Sequence, residues 1–263
     1  MPEGDTIHRA AARLTPHLIG KIVRRLELPR RAQVIERVEG RIVTAIEARG
    51  KNLLIHFDTD PPGRDALVLH THMRMNGVWR AYAPGAARPR VSGYVVVWLE
   101  VDDGSLAVCT HAPVVRVIRA RDLVRDPRLA SLGPDPIDPG FAHGEALTRL
   151  RARAEVPLGE ALLDQGAVAG IGNVWKSELC FAHGLDPFAP VAAFTDEELA
   201  DLLASTEKGM RKSALGRPRP ARVYGRAGDP CLRCGETISM RRQGTQQRST
   251  YWCARCQPRR TAT

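Results

Sequence analysis

The spacing of apolar positions changes period along the chain. Near the N-terminus Ile7, Ala10, Ala11, Leu14 and Leu18 recur at three- and four-residue intervals. That spacing predicts an amphipathic helix, capped by Asp5 or Thr6 and closed by Gly20. From Arg41 to Phe57 the period shortens to two: Ile42, Thr44 and Ile46, then Leu53, Ile55 and Phe57, around a turn at Arg49-Gly50-Lys51-Asn52. Leu67–Tyr82 reads as a second strand pair turning at Asn76-Gly77, and Gly93–Val101 with Ser105–Thr110 as a third around Asp102-Asp103-Gly104. Short strands at this spacing predict a sandwich or barrel. Past Asp126-Pro127 the Pro- and Gly-rich run Gly133–Gly140 reads as a loop. Helical periodicity then covers Gly144–Ala154, Leu158–Gln165, Asn173–His183 and Thr195–Met210, the last opened by a Thr195/Glu198 capping box. Arg217-Pro218-Arg219-Pro220 separates the helices from a cysteine-bearing tail.

At 263 residues the chain is long enough for one large core or two domains. No apolar run reaches the roughly 18–20 residues that a membrane span needs, and Met1–Gly20 lacks the form of a secretory signal. The net charge of +10 is localised. From Arg211 onward, 13 Lys and Arg face only Asp229 and Glu236. A basic block of this kind suits a polyanion, nucleic acid above all, with a solubilising tail as the plainer alternative.

Within that tail, Cys231-x2-Cys234 and Cys253-x2-Cys256 are separated by 18 residues, the spacing of one structural zinc site. Two disulfides are the alternative, but nothing in the sequence points to an oxidising compartment. Cys109 and Cys180 stand alone in apolar sequence and read as buried thiols.

Other residues carry weaker signals when taken singly. Asn173 follows Ala169-Gly170-Ile171-Gly172 and opens a helix. Free N–H groups there suit a phosphate, although a tight turn with Asn as cap would look the same. Removal of Met1 ahead of Pro2 would leave a secondary amine of pKa near 8, partly neutral and able to attack an aldehyde carbon. Glu3 would lie within reach as a proton donor or acceptor. Lys51 is one of only five lysines beside 34 arginines. A position that moves a proton cannot use Arg.

Taken together, the opening Met-Pro-Glu-Gly, Arg49-Gly50-Lys51, Leu162–Gln165 through Gly170-Ile171-Gly172-Asn173, Val223-Tyr224-Gly225-Arg226-Ala227-Gly228 and Gln247–Cys253 resemble the formamidopyrimidine-DNA glycosylase/endonuclease VIII (Fpg/Nei) family from end to end. Met-Pro-Glu-Gly-Asp-Thr and Gly77-Val78-Trp79-Arg80 are closer to the endonuclease VIII branch. The resemblance implies an α+β multidomain fold. Its parts would be an N-terminal β-sandwich with flanking helices (1–125), a helix–two-turn–helix domain (126–222) and a zinc-finger β-hairpin (223–263). It implies a bifunctional glycosylase/AP lyase of base excision repair that removes oxidised bases, pyrimidines favoured, and cuts by β/δ-elimination on a nucleotide flipped from the stack.

By the same analogy Pro2 is the nucleophile at C1′, Glu3 the acid/base, and Lys51 a phosphate contact that assists proton transfer. Asn173 and Arg248 clamp phosphates, with Arg248 also counted among the catalytic residues and placed at the zinc-hairpin tip (Gly244–Arg248). Arg74, Met75 and Asn76 fill the hole left by the extruded base, Met75 as an unbranched apolar wedge. Tyr224 joins the DNA-binding residues. Cys231, Cys234, Cys253 and Cys256 hold one structural zinc. The partner is damaged DNA, double-stranded, with single-stranded or forked DNA also open. The chain is expected to be a monomeric, cytoplasmic, nucleoid-associated bacterial protein. Two positions depart from relatives: Thr6 stands where many carry a second acid, and Ser131 where some carry a DNA-contacting Arg. A zinc-containing protein that binds damaged DNA without cutting it is the competing reading. Binding alone would not require Pro2, Glu3 and Lys51.

Overall fold

The structure, a computed structural model, describes residues 2–59, 65–87 and 94–261. It falls into two compact units, Met1–Ala130 and Ser131–Thr263. Among the described residues no helix is long and apolar enough to cross a membrane.

The first unit opens with helix α1 (Gly4–Leu18), followed by β1 (Val23–Glu27), β2 (Gln33–Val34), β3 (Val43–Arg49), β4 (Asn52–Phe57), β5 (Leu67–His72), β6 (Val78–Tyr82), β7 (Val95–Val101), β8 (Leu106–Thr110) and β9 (Val114–Arg119). Short helices α2 (Ala120–Leu123) and α3 (Pro127–Ala130) close it. The strands form a four-stranded sheet, β1-β7-β8-β6, and a five-stranded sheet, β2-β9-β5-β4-β3. One apolar core draws on both sheets and on α1, through Ile7, Leu14 and Leu18, Leu53, Ile55 and Phe57, and Val97 and Leu99. The expected sandwich is therefore present.

Three local expectations need correction. Helix α1 begins before Asp5 and Thr6, with Glu3 as its N-cap. The Thr6 hydroxyl accepts from the Glu3 N–H (2.9 Å) and donates to the Glu3 carbonyl (2.8 Å), so the capping pair lies one turn earlier. In β3 a bulge between Val43 and Ala45 shifts the faces. Val43, not Ile42 or Thr44, enters the core as a result. The 67–82 segment is not a hairpin: β5 pairs with β4 and β9, whereas β6 pairs with β8. Its Asn-Gly turn carries the chain from one sheet to the other. The Gly77 N–H donates to the Met73 carbonyl at 2.9 Å. A Cβ on Gly77 would lie 2.6 Å from that of Met73, so only glycine fits.

The second unit holds α4 (His143–Arg151), α5 (Leu158–Ala161), α6 (Asn173–His183) and α7 (Asp196–Ala214), then the hairpin β10 (Ile238–Gln243) and β11 (Arg248–Cys253). The apolar stripe Leu199, Leu202, Leu203 and Met210 of α7 is buried as its spacing requires. Helix α5 is shorter than expected because polar side chains take over from Asp164 onward. Asp164 accepts from the Gly166 N–H at 2.8 Å. Gln165 donates to the Ile171 carbonyl (3.1 Å) and accepts from the Gly170 N–H (3.0 Å). These bonds replace helix with a braced loop that leads directly into α6.

Candidate active site and zinc centre

In the first unit Pro2 precedes α1 and lines a cavity of about 380 Å³ with Thr6, Arg9, Met73, Met75 and Asn76. Glu3, next to it, is wholly buried. Met75 is 47% exposed rather than packed in the core. The segment Met73–Asn76 also walls a second cavity, of about 690 Å³, that carries Arg30, Arg31, Tyr94 and His111. Pro2, Met75 and Asn76 thus meet around one space, with Met75 on the partition.

Lys51 sits in the tight turn between β3 and β4, where Gly50 has φ +55°. The β4–β5 register sets Asn52 opposite His72. Burial first, then the charges of Lys51 and Arg74, push the His72 pKa down to about 4. Its Nδ1 accepts from the Arg74 N–H at 3.1 Å, so the neutral ring carries its proton on Nε2. Lys51 and Arg74 thus place two positive charges about the neutral His72 ring. His70 is buried two residues earlier on β5. Sequence reasoning passed over both histidines, although His-Thr-His in a strand puts two imidazoles on one face.

In the second unit α6 organises the site. Asn173 opens it at 6% exposure, and its buried Oδ1 has no hydrogen-bond partner. That oxygen only accepts, so a phosphate would be met by the Asn173 NH2 group and the free N–H groups of the helix N-terminus. One turn on, Lys176 is fully buried and donates to the Thr250 hydroxyl (2.7 Å) and the Ser249 carbonyl (3.1 Å) of β11. Arg248, at the start of β11, has its guanidinium on Gln246 Oε1 at 3.0 and 3.1 Å. Glu178 accepts the backbone N–H groups of Arg222, Val223 and Tyr224 at 2.8–2.9 Å. Tyr224 then packs edge-on against Tyr251, with ring centroids 4.9 Å apart. Lys176 and Glu178 were also missed. Their signal was two ionisable residues within a largely apolar helix.

The four cysteines of the tail are free thiols with all sulfurs within 4.8 Å of one another. Cys231 and Cys256 sulfurs are 3.9 Å apart, and Cys234 and Cys253 sulfurs 3.5 Å. A tetrahedral zinc with Zn–S bonds of about 2.3 Å requires sulfur separations of roughly 3.8 Å. The donors fit one zinc ion, which would fix the hairpin bearing Arg248. Cys109 and Cys180 are buried, and burial pushes each thiol up to about 12.

Comparison with known proteins agrees with this arrangement. The family model of the formamidopyrimidine-DNA glycosylase N-terminal domain matches residues 1–112, and that of the H2TH domain matches 132–217. A zinc finger found in FPG and IleRS matches 228–259. The chain belongs to the Fpg/Nei family. Over 98% of its length it is 39% identical to a probable endonuclease 8 2 of Streptomyces coelicolor, covering 94% of that protein. It is 36% identical to the DNA-(apurinic or apyrimidinic site) lyase Nei2 of Mycolicibacterium smegmatis, covering 98% of this chain and 99% of the relative. The crystal structure of MutM (Fpg) from Thermus thermophilus matches with a TM-score of 0.79 at 26% identity, over 97% of this chain and 98% of that one. The Fpg-like fold, with its N-terminal, H2TH and zinc-finger parts, is thereby established.

Proposed function

We propose that this Fpg/Nei protein excises oxidised bases from DNA and then cuts the strand, with Pro2 as nucleophile and pyrimidine lesions preferred. The observation that carries the reading is the Pro2 cavity, which sets the residue able to present a secondary amine beside half-exposed Met75 and Asn76, with buried Glu3 next to Pro2 in the chain. After Met1 is removed, the Pro2 nitrogen attacks C1′ of the damaged nucleotide and the C1′–N bond to the base breaks. Glu3 handles the proton that opens the sugar ring, leaving an iminium on C1′. Loss of a C2′ proton then expels the 3′ phosphate, and a second elimination expels the 5′ phosphate. Lys51 contacts a phosphate and assists these proton transfers.

Asn173 and Arg248 grip phosphates beside the lesion, and Tyr224, held by Glu178 and Tyr251, joins the DNA-binding residues. Arg74, Met75 and Asn76 occupy the space that the flipped base vacates. The zinc ion is structural and takes no part in the chemistry. The helical and zinc-finger parts divide at 222/223, and the protein acts as a monomer on the nucleoid in the cytoplasm.

The test is a panel of duplex oligonucleotides, each with one oxidised base, incubated with borohydride. Oxidised pyrimidines should give the fastest excision and a covalent, reduction-trapped complex. Tight binding to damaged DNA with neither trapping nor cleavage would replace this reading with that of a non-catalytic binding protein.

A further inference from the structure

We propose that Asn52, His70 and Arg116 form a buried positioning relay, anchored on Asp126, that fixes the Arg49–Asn52 turn and so aims Lys51. This inference rests on the role given to Lys51 above and names the residues that make that role possible.

The links are continuous. Asn52 Nδ2 donates to the Arg49 carbonyl at 3.0 Å, across the turn that carries Lys51. Asn52 Oδ1 lies 2.9 Å from His70 Nε2, and His70 Nδ1 lies 2.9 Å from Arg116 Nε. The Arg116 guanidinium pairs with the Asp126 carboxylate. Asp126 in turn accepts the N–H groups of Arg128 (2.9 Å) and Leu129 (3.3 Å) at the start of α3.

Only one polarity satisfies all of these contacts. A guanidinium can only donate, so His70 Nδ1 must accept and Nε2 must carry the proton. Nε2–H then donates to Asn52 Oδ1, which turns the Asn52 NH2 group toward Arg49. The whole chain of donors and acceptors thus points at the Lys51 turn.

The register builds this path across the sheet. His70 is the β5 partner of Arg116 on β9, and Asn52 lies diagonally across on β4. On the same face Leu54, directly opposite His70 on β4, is wholly buried. An apolar side chain at position 70 would satisfy packing there with no polar atom to desolvate. A buried imidazole is retained with both nitrogens bonded, and one of those bonds leads to the turn. The charged and titratable groups facing His70 are Arg116, Asp126, His72 and Arg128. Burial and the Arg116 charge keep the ring neutral. No relay member lines the Pro2 cavity.

The experiment uses the full zinc-loaded chain, a preformed abasic site and saturating enzyme, and reads two steps separately. His70→Phe and Asn52→Ala should each slow strand cleavage by about 10- to 100-fold, the usual cost of a misplaced group. Borohydride trapping through Pro2 should be unchanged. In a Lys51→Met background, His70→Phe should have no further effect, because the relay acts only through Lys51. Equal loss of trapping and cleavage in folded protein would overturn the proposal, as would additive effects of His70→Phe and Lys51→Met. Asn52→Ala leaves His70, Arg116 and Asp126 paired, so it decides the matter if His70→Phe fails to fold. If Lys51→Met itself cleaves normally, the role of Lys51 fails and the relay falls with it.

Discussion

Lys176 Nζ, fully buried on α6, donates to the Thr250 hydroxyl of the zinc hairpin at 2.7 Å. That bond couples the helix opened by Asn173 to the strand begun by Arg248. Lys176→Met should keep the volume but leave the Ser249 carbonyl without its donor. The expected stability loss is about 1–3 kcal/mol. DNA affinity should fall while zinc content stays constant, as read by fluorescence anisotropy and elemental analysis.

Zinc removal should act on the same hairpin more severely. Structural sites of this kind contribute on the order of 10–16 kcal/mol to folding their module. Cys234→Ser should therefore disorder β10 and β11 and displace Arg248, whereas the separate core of the β-sandwich stays folded. Hydrogen exchange should show lost protection in 231–256 and unchanged protection in β4 and β5.

The pH dependence follows from two histidines. His70 and His72 are each pushed down to about 4, chiefly by burial, from an ordinary 6.5. The unfolded chain takes up these protons first as pH falls. The stability they contribute is therefore complete above pH 6.5 and is lost progressively toward pH 4. For the deeply buried His70 this amounts to on the order of 3 kcal/mol. Melting temperature against pH should show the loss, and His70→Phe should flatten the curve between pH 6.5 and 4.

Gly77→Ala probes the turn that carries Met75. The added methyl would meet Met73 Cβ at 2.6 Å and its Cα at 2.7 Å, so backbone has to move. A stability loss of about 1–3 kcal/mol is expected, with Met73 and Met75 displaced at the Pro2 cavity. Base excision, which needs the flipped nucleotide, should suffer more than cleavage at a preformed abasic site.

The sequence made some of this legible and hid the rest for physical reasons. The zinc cysteines were readable because thiolate geometry dictates their spacing, and α7 because its stripe and capping box agree. Asn76-Gly77 announced a turn but not which strands it would join, since pairing partners are set by long-range packing. The bulge at Val43–Ala45 had no local marker and reversed the face of the preceding residues. His70, Lys176 and Glu178 escaped notice because a polar residue shows its purpose only through its tertiary partners. Pro2, Glu3 and Lys51 were singled out by the chemistry of their residue types and given their roles by the family resemblance. Their surroundings, including the Thr6 hydroxyl on Glu3 and the relay behind Lys51, came only from the fold.

The central claim is that the Pro2 amine attacks the sugar, and its most direct measurement is borohydride trapping by a variant with one extra residue before Pro2. That residue converts the nucleophilic nitrogen into an amide. The account predicts complete loss of the covalent complex on abasic-site DNA, with DNA binding and zinc content retained. Undiminished trapping and cleavage by the extended protein would contradict it and transfer the nucleophile to a lysine, Lys51 first.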